Sequence, residues 1–152
     1  MLNYTNVITE EKSYSGLQMK EIKPVMKLVI RGKKREFLSA IGKSLNLLLP
    51  TEANTSSRSE KLSALWLSPD EWMIYSNEVS DPNNNDYETE NLLNKNISKT
   101  NLGAVTDVTD QFVLINIKGD KIFDLFETGS PFNFNDFRNK KGSVTQTILA
   151  KI

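Results

Sequence analysis

The chain of 152 residues contains no histidine and no cysteine. Without cysteine it has no thiolate nucleophile, no disulfide and no zinc–thiolate site. Without histidine it lacks the one side chain whose ordinary pKa lies near neutrality, which excludes a histidine-dependent catalytic triad and a histidine-ligated metal. Carboxylates or lysines would need strongly shifted pKa values to act as acid or base. We therefore expect no catalytic, cofactor or metal site in this chain.

The sequence also has no excess of charge of either sign, since Lys plus Arg and Asp plus Glu number 19 each. Phosphate contacts need cations, so this balance argues against a nucleic-acid partner. No window approaches the roughly 18 apolar residues that a membrane span requires. The polar N-terminal stretch lacks the basic and apolar segments of a secretory signal. These absences predict a cytoplasmic protein, and the abundant Asn, Lys and Ile favour an AT-rich bacterial genome.

The spacing of apolar residues predicts an α+β chain. "PVMKLVI", from Pro24 to Ile30, is a short apolar run typical of a strand. Apolar residues at helical spacing follow it and predict a helix that Pro50 ends, with Leu48 on its inner face. The other predicted elements are a hairpin at Leu62–Leu67 and Trp72–Ser76, a helix capped by Asp86 with Leu92, Leu93 and Ile97 inward, strands at Ala104–Val108, Phe112–Ile117 and Val144–Ile152, and a helix over Asp120–Gly129.

The order of these elements up to Val108 is β-α-β-β-α-β, the split arrangement of ferredoxin-like folds. A second β-α-β unit then begins and is incomplete. A strand at a chain terminus leaves unpaired backbone and an uncovered face, so we expect that something is missing after Ile152. Residues 1–16 are expected to form a flexible arm, and residues 17–152 a single domain.

Two polar motifs leave their interpretation open. "RGKKRE", residues 31–36, is either a solvated helix start or a docking patch for an acidic neighbour or an anionic ligand. The carboxylate pairs Asp70–Glu71 and Asp107 with Asp110 have no nucleophile or glycine-rich cradle beside them. Asp70 and Asp107 are interpreted as turn and strand-end residues that bond to backbone amides.

The two tryptophans of the chain flank one turn in "LWLSPDEWMIYS", residues 65–76. Pro69 has the φ that the second position of a type I turn needs, and Asp70 suits the next corner. Trp66 and Trp72 would then pack on one face of the ribbon, where aromatic pairs stabilise a hairpin. We interpret this segment as structural framework, with a ligand-binding wall as the alternative.

Phe132, Phe134 and Phe137 lie close together in a loop that asparagines interrupt. Grouped aromatics that are hard to bury within their own domain favour a protein interface. Burial in the core is the competing interpretation.

The hairpin "LWLSPDEWMIYS" resembles the Leu-Trp-Leu, Gly-Pro-Asp-Glu-Trp hairpin of the gamma subunit of heterotetrameric sarcosine oxidase, with Ser68 where that family usually has glycine. "AVTDVTDQFVLINIKGDKIFDLFETGSPFNF" resembles the family's next segment, although Phe132-Asn133-Phe134 replaces an apolar-Asp-apolar triplet. "GSVTQTILAKI" is similar to the strand that follows. The resemblance runs from about Gly16 to Ile152. Because gamma subunits normally continue into another strand and a C-terminal helix, it implies that these two elements are missing here. "DVTDQFVLINIKGDKIFDLFE" is also similar to the tetrahydrofolate-dependent aminomethyltransferase superfamily.

The resemblance implies an α+β fold related to the aminomethyltransferase folate-binding domain. It implies a non-catalytic subunit of an enzyme that oxidises sarcosine to glycine, with oxygen as acceptor and tetrahydrofolate taking up the one-carbon unit. The alpha and beta subunits would hold FAD, covalent FMN and NAD, and the delta subunit would hold zinc. This chain would hold no cofactor.

Two alternatives stay open at this point. The chain could be a stand-alone folate-binding or aminomethyltransferase-like module. It could also be the equivalent subunit of a related N-methyl amino acid dehydrogenase, because substrate specificity would lie in other chains.

Overall fold

A computed structural model of the protein describes residues 5–8, 10–79 and 87–150. These residues form an α+β fold with a three-stranded and a five-stranded sheet, both antiparallel. In chain order the elements are β1 (Lys12–Tyr14), β2 (Leu17–Ile22), β3 (Lys27–Arg31), α1 (Arg35–Leu45), β4 (Ser56–Arg58), β5 (Leu62–Ser68), β6 (Glu71–Ser76), α2 (Glu88–Leu93), a π-helical turn (Asn94–Ser98), β7 (Ala104–Asp107), a 3₁₀ turn (Thr109–Gln111), β8 (Leu114–Lys118), α3 (Ile122–Gly129) and a 3₁₀ turn (Asn135–Phe137).

The elements divide between two compact units. The first unit comprises Met1–Lys23, Val113–Lys141 and Gln146–Ile152. The second unit comprises Pro24–Phe112 and Gly142–Thr145.

The second unit contains the five-stranded sheet in the order β4-β5-β6-β3-β7. Apart from β4 at the edge, its elements follow one another along the chain as β-α-β-β-α-β. The two outer strands of that succession, β3 and β7, are hydrogen-bonded neighbours, and β6 pairs with the other side of β3. The predicted ferredoxin-like unit is therefore confirmed.

One face of this sheet and the helices enclose the main core. The register places Leu28 opposite Ile74, and Ile30 opposite Trp72, so all four side chains point to the same face. Helix α1 covers that face with Phe37 and Ile41, both fully buried. The core is completed by other buried residues, namely Leu47, Leu62, Ala64, Leu93 and Ile97. Burying each such large apolar side chain contributes about 1.5–3 kcal/mol.

Two helices differ from their predicted extent. Helix α1 ends at Leu45 because Asn46 takes the left-handed conformation, with φ of 49°, that commonly terminates helices. The inward placement of Leu48 was wrong, since this side chain lies beyond the helix and is 82% exposed.

The next helix turns into a π-helical segment after Leu93. Leu93 and Ile97 are buried as predicted, whereas Leu92 is 40% exposed. Asp86, the predicted cap, lies outside the described residues.

The first unit contains the sheet β1-β2-β8 together with α3. Tyr14 pairs with Leu17 across a two-residue turn, in which Gly16 has a φ of +80° that glycine adopts without strain. Part of the segment expected to be a flexible arm is therefore a strand. The prediction failed at β1 because its residues, Lys-Ser-Tyr, are all exposed and show no apolar alternation.

The strand predicted over Val144–Ile152 is wrong for the residues that the structure describes. Residues 144–150 form no ladder with any described strand. Ser143 makes one isolated bridge with Thr55, and the amide of Val144 donates to the carbonyl of Asn54. In the first unit, the amide of Ala150 donates to the carbonyl of Gly129 at 2.7 Å. These single hydrogen bonds hold the segment without making it part of a sheet.

Candidate functional site

The tryptophan hairpin is formed by β5 and β6 and lies in the second unit. Trp66 and Trp72 are directly opposite each other in the register, and an irregularity between Trp66 and Ser68 precedes the Pro69–Asp70 turn. Trp72 is also opposite Ile30 of β3, which is in turn opposite Val105 of β7. These four side chains therefore form a row across the sheet on its core-facing side.

Trp72 is part of the core. It is 3% exposed, and its ring stacks on Phe37 with centroids 5.9 Å apart. Its Nε1 donates a hydrogen bond to the carbonyl of Pro50 at 2.7 Å, so the buried indole has its polar atom paired. Trp66 is half-buried and packs against the same core. This arrangement leaves Trp72 without a surface to offer a ligand, and the framework role of the hairpin stays a prediction.

The Pro69–Asp70 turn is tied to the basic residues that precede α1. The Ser68 hydroxyl donates to Asp70 Oδ1 at 3.0 Å, and the amide of Gly32 donates to the Asp70 carbonyl at 3.0 Å. Arg31 and Lys33 place side-chain nitrogens 3.9 and 3.7 Å from the Asp70 carboxylate. The pKa of Asp70 lies below its ordinary value, mainly because of the hydrogen bond from Ser68 and to a smaller extent because of these two cations.

The basic cluster is therefore partly neutralised by the hairpin. Arg31 also lies 3.9 Å from Glu71 Oε2. Such exposed ion pairs stabilise only weakly, because water screens the two charges and ordering the long side chains costs entropy. Of the two interpretations of residues 31–36, these contacts favour a solvated helix start that is fastened to the turn.

The second carboxylate pair has one structural role that the sequence predicted. Asp107 Oδ1 accepts the amide of Thr109 at 2.8 Å, which confirms its interpretation as a strand-end residue. Thr109 Oγ1 in turn accepts the amide of Lys27 at 3.0 Å. The end of β7 is thereby connected to the start of β3.

Lys27 is a buried cation that the sequence analysis missed. It lies within the apolar run of β3 and is 2% exposed, and its Nζ donates to the carbonyl of Val25 at 3.0 Å. Burial lowers the pKa of Lys27, and the charges of Asp110 and Asp107 oppose that shift. A lysine of lowered pKa can act as a base, but this one is directed at a backbone carbonyl. The only feature of the sequence that indicated the burial of Lys27 was the apolar character of its neighbours in the strand.

The phenylalanines of the first unit form a cluster with α3. The ring of Phe134 lies 5.3 Å from Phe126, 4.9 Å from Phe132 and 6.1 Å from Phe137, measured between centroids. The pairs that Phe134 makes with Phe132 and Phe137 are edge-to-face, a favourable aromatic geometry. Phe134 is 5% exposed, which fits the core alternative, while Phe132 and Phe137 are half-buried. An interface role for Phe132 and Phe137 stays a prediction.

Arg138 fastens this cluster to α3 and was also missed. Its guanidinium carbon lies 5.0 Å from the centre of the Phe123 ring, and its Nη2 is 3.0 Å from Glu127 Oε1 and 3.7 Å from Asp124 Oδ1. Asp124 and Glu127 are three residues apart on one helix face, so a single cation can reach both.

In the part of the chain that is described, no group of three or more His, Cys, Asp or Glu side chains is placed to hold a metal ion. A shallow surface cavity of about 340 Å³ runs along α1, lined by Arg35, Glu36, Ser39, Ala40 and Lys43. Within residues 5–8, 10–79 and 87–150, no helix combines the length and apolar character needed to cross a bilayer.

The fold defines a class of protein, the α+β chains that contain a ferredoxin-like unit. The particular family follows from the sequence: the chain belongs to the sarcosine oxidase gamma subunit family, whose model matches residues 31–152. The family is one of subunits of an oxidoreductase, as the sequence resemblance predicted. No curated protein matches the chain.

A solved structure shares the fold. The heterotetrameric sarcosine oxidase from Corynebacterium sp. U-96, in complex with pyrrole 2-carboxylate, contains a chain that superposes with a TM-score of 0.75 at 17% sequence identity. The superposition covers 90% of the present chain and 67% of that chain. The likeness supports the α+β fold as predicted.

Proposed function

We propose that this protein is the non-catalytic gamma subunit of a bacterial, cytoplasmic, heterotetrameric sarcosine oxidase that converts sarcosine to glycine with oxygen and tetrahydrofolate. The family match over residues 31–152 is the observation that carries the proposal. The assembled enzyme of the structural neighbour is a heterotetramer, which agrees with a role as one of four chains.

The division of labour in this proposal rests on side-chain chemistry. The chain has no histidine and no cysteine, so it lacks the groups that most often activate substrates near neutral pH. The alpha, beta and delta subunits would hold FAD, FMN, NAD, tetrahydrofolate and zinc. The gamma chain would contribute a rigid scaffold, organised around the Trp72 hairpin, and a surface for those partners.

Co-expression with the other subunits tests the proposal. An affinity-tagged form of this chain is expressed with the alpha, beta and delta chains, and the purified material is assayed for stoichiometry and for sarcosine-dependent oxygen uptake. We expect equimolar recovery of the four chains and uptake only in the assembled material. A chain that stays monomeric beside its partners, or that oxidises sarcosine or retains a flavin alone, would contradict the proposal. Uptake with another N-methyl amino acid but not with sarcosine would favour the related dehydrogenase.

A further inference from the structure

The outward side of helix α1 carries two cations that are not neutralised. The carboxylates of the hairpin turn lie near Arg31 and Lys33, which precede the helix. Arg35 and Lys43, within the helix, are exposed and make no ion pair in the part of the chain that is described. Both line the shallow cavity along α1, and the rise over eight helical residues separates them by about 12 Å along the axis.

The cavity between these cations admits a partner side chain. Ser39 and Ala40 line it with short side chains, so another chain can approach the helix closely there. Glu36 is the one carboxylate in the lining, against the two cations Arg35 and Lys43. The cavity therefore has a positive balance, with a cation towards each end.

An exposed leucine lies beside the same surface. Leu48 is 82% exposed, the largest value for any large apolar side chain among the described residues. A Cβ at Gly42 would lie 3.9 Å from Leu48 Cδ2, which places this side chain next to the helix residue that precedes Lys43. The Leu48 carbonyl accepts the Ser57 hydroxyl, and the preceding residue, Leu47, is 3% exposed. An apolar side chain on a backbone held in this way loses little freedom on binding and suits an anchor role in an interface.

The exposure of this surface is a property of the ferredoxin-like unit itself. Helix α1 is the first helix of that unit, and all six elements of its β-α-β-β-α-β succession are described. These elements cover the inner side of α1, where Phe37 and Ile41 are fully buried, and leave the outer side exposed.

We propose that the outward side of α1 and Leu48, called here the α1 docking surface, bind an acidic segment of a partner subunit. A carboxylate of that segment would lie near each of Arg35 and Lys43, with an apolar side chain in the cavity between them. The inference rests on the proposed function, because a subunit has to present a surface to its partners. The acidic character of the occupant follows from charge: two unpaired cations attract carboxylates, and Glu36 repels them from the neighbouring position, which favours one register.

Lysine acetylation followed by mass spectrometry tests the α1 docking surface on the unmodified protein. The rate of acetylation of Lys43 is measured in the isolated chain and in the complex co-expressed with the alpha, beta and delta chains. We expect this rate to fall by at least about tenfold in the complex, because the partner covers the amine and a nearby carboxylate keeps it protonated.

The outcomes separate this inference from the proposed function. An assembled complex in which Lys43 reacts as fast as in the isolated chain overturns the inference and leaves the proposed function intact. Failure to assemble at all overturns both. A rate in the isolated chain that falls as its concentration rises would assign the surface to a second copy and overturn the inference.

Two charge reversals provide a matched pair. Lys43→Glu and Lys61→Glu each reverse the charge of an exposed lysine in the second unit. Lys43→Glu is expected to reduce recovery of the partner chains by more than about tenfold, and Lys61→Glu by less than about twofold. Equal recovery with both variants, each shown to fold by far-UV circular dichroism, would contradict the acidic occupant.

Leu48→Ala tests the apolar anchor. The side chain is 82% exposed, so its truncation should leave the core intact. Recovery of the partner chains is expected to fall by about fivefold or more, because anchor residues dominate the affinity of an interface. Recovery equal to that of the unmodified chain would show that Leu48 is not an anchor and would contradict the α1 docking surface.

Discussion

Replacing Trp72 by alanine tests the packing on which the hairpin depends. The side chain is 3% exposed and stacks on Phe37. Truncating a buried aromatic residue costs about 3–5 kcal/mol, a large part of the roughly 5–15 kcal/mol that stabilises an ordinary domain. Trp66→Ala is the matched control from the same hairpin. We expect it to cost less, about 1–2 kcal/mol, because part of the Trp66 ring already faces solvent.

A milder substitution separates the hydrogen bond from the packing. Trp72→Phe keeps an aromatic ring beside Phe37 but removes the Nε1 donor, which leaves the buried Pro50 carbonyl without its 2.7 Å partner. An unpaired buried acceptor costs about 1–3 kcal/mol. The free energy of unfolding is measured by urea titration with far-UV circular dichroism. If the two alanine variants lost the same stability, the burial difference between Trp66 and Trp72 would not govern the hairpin, and the reasoning would fail.

The remaining predictions concern backbone space and a buried charge. A Cβ at Gly103 would collide with the Arg31 carbonyl and the Phe37 ring, so Gly103→Ala should lower the melting temperature. Gly42 lies inside α1, and the atoms nearest to an added Cβ there are 3.9 Å away, so Gly42→Ala should stabilise the protein by about 0.5–1 kcal/mol. Equal shifts in a calorimetric scan would contradict this. Burial lowers the pKa of Lys27 below its ordinary 10.5, so its charge opposes folding at neutral pH and that penalty fades as pH rises toward 10.5. The stability gained by Lys27→Met should therefore be largest near neutral pH and shrink in alkaline urea titrations; a gain that grew with pH would refute the assignment.

The sequence predicted the second unit well because its signals are local. The apolar run before Arg31 and the helical spacing around Phe37 and Ile41 each specify an element without reference to distant residues. Boundaries were less accurate. Helix α1 ends before Asn46, which is in the left-handed conformation, and not at Pro50 as predicted. The pattern of apolar residues gives no information on the backbone conformation of a single residue.

The first unit was harder to predict because its elements depend on distant partners. Strand β2 carries Glu21 on the same face as Met19, so the expected apolar alternation is broken by a carboxylate. That carboxylate is 6% exposed and accepts the amide of Ile8 at 2.7 Å. Only the folded structure reveals this contact, because sequence analysis predicts that a glutamate in a strand faces solvent.

Among the candidate sites, too, some features follow from the local sequence and others depend on contacts with distant residues. The pairing of Trp66 with Trp72 follows from the turn chemistry of Pro69 and Asp70, which the sequence displays. The burial of Phe134 depends on Phe126 of α3, and that of Lys27 on its contact with Val25 and the nearby charges of Asp107 and Asp110. Neither could be predicted from residue type, because the same side chains are exposed in many other contexts.

The position of the two tryptophans has a practical consequence for spectroscopy. Trp66 and Trp72 are the only indoles in the chain, and both lie in the second unit. Their fluorescence therefore reports on the ferredoxin-like unit and is silent about β1, β2, β8 and α3. An emission-monitored melt would describe one unit as though it were the whole protein, and a mismatch with the circular dichroism melt would reveal that the two units unfold separately.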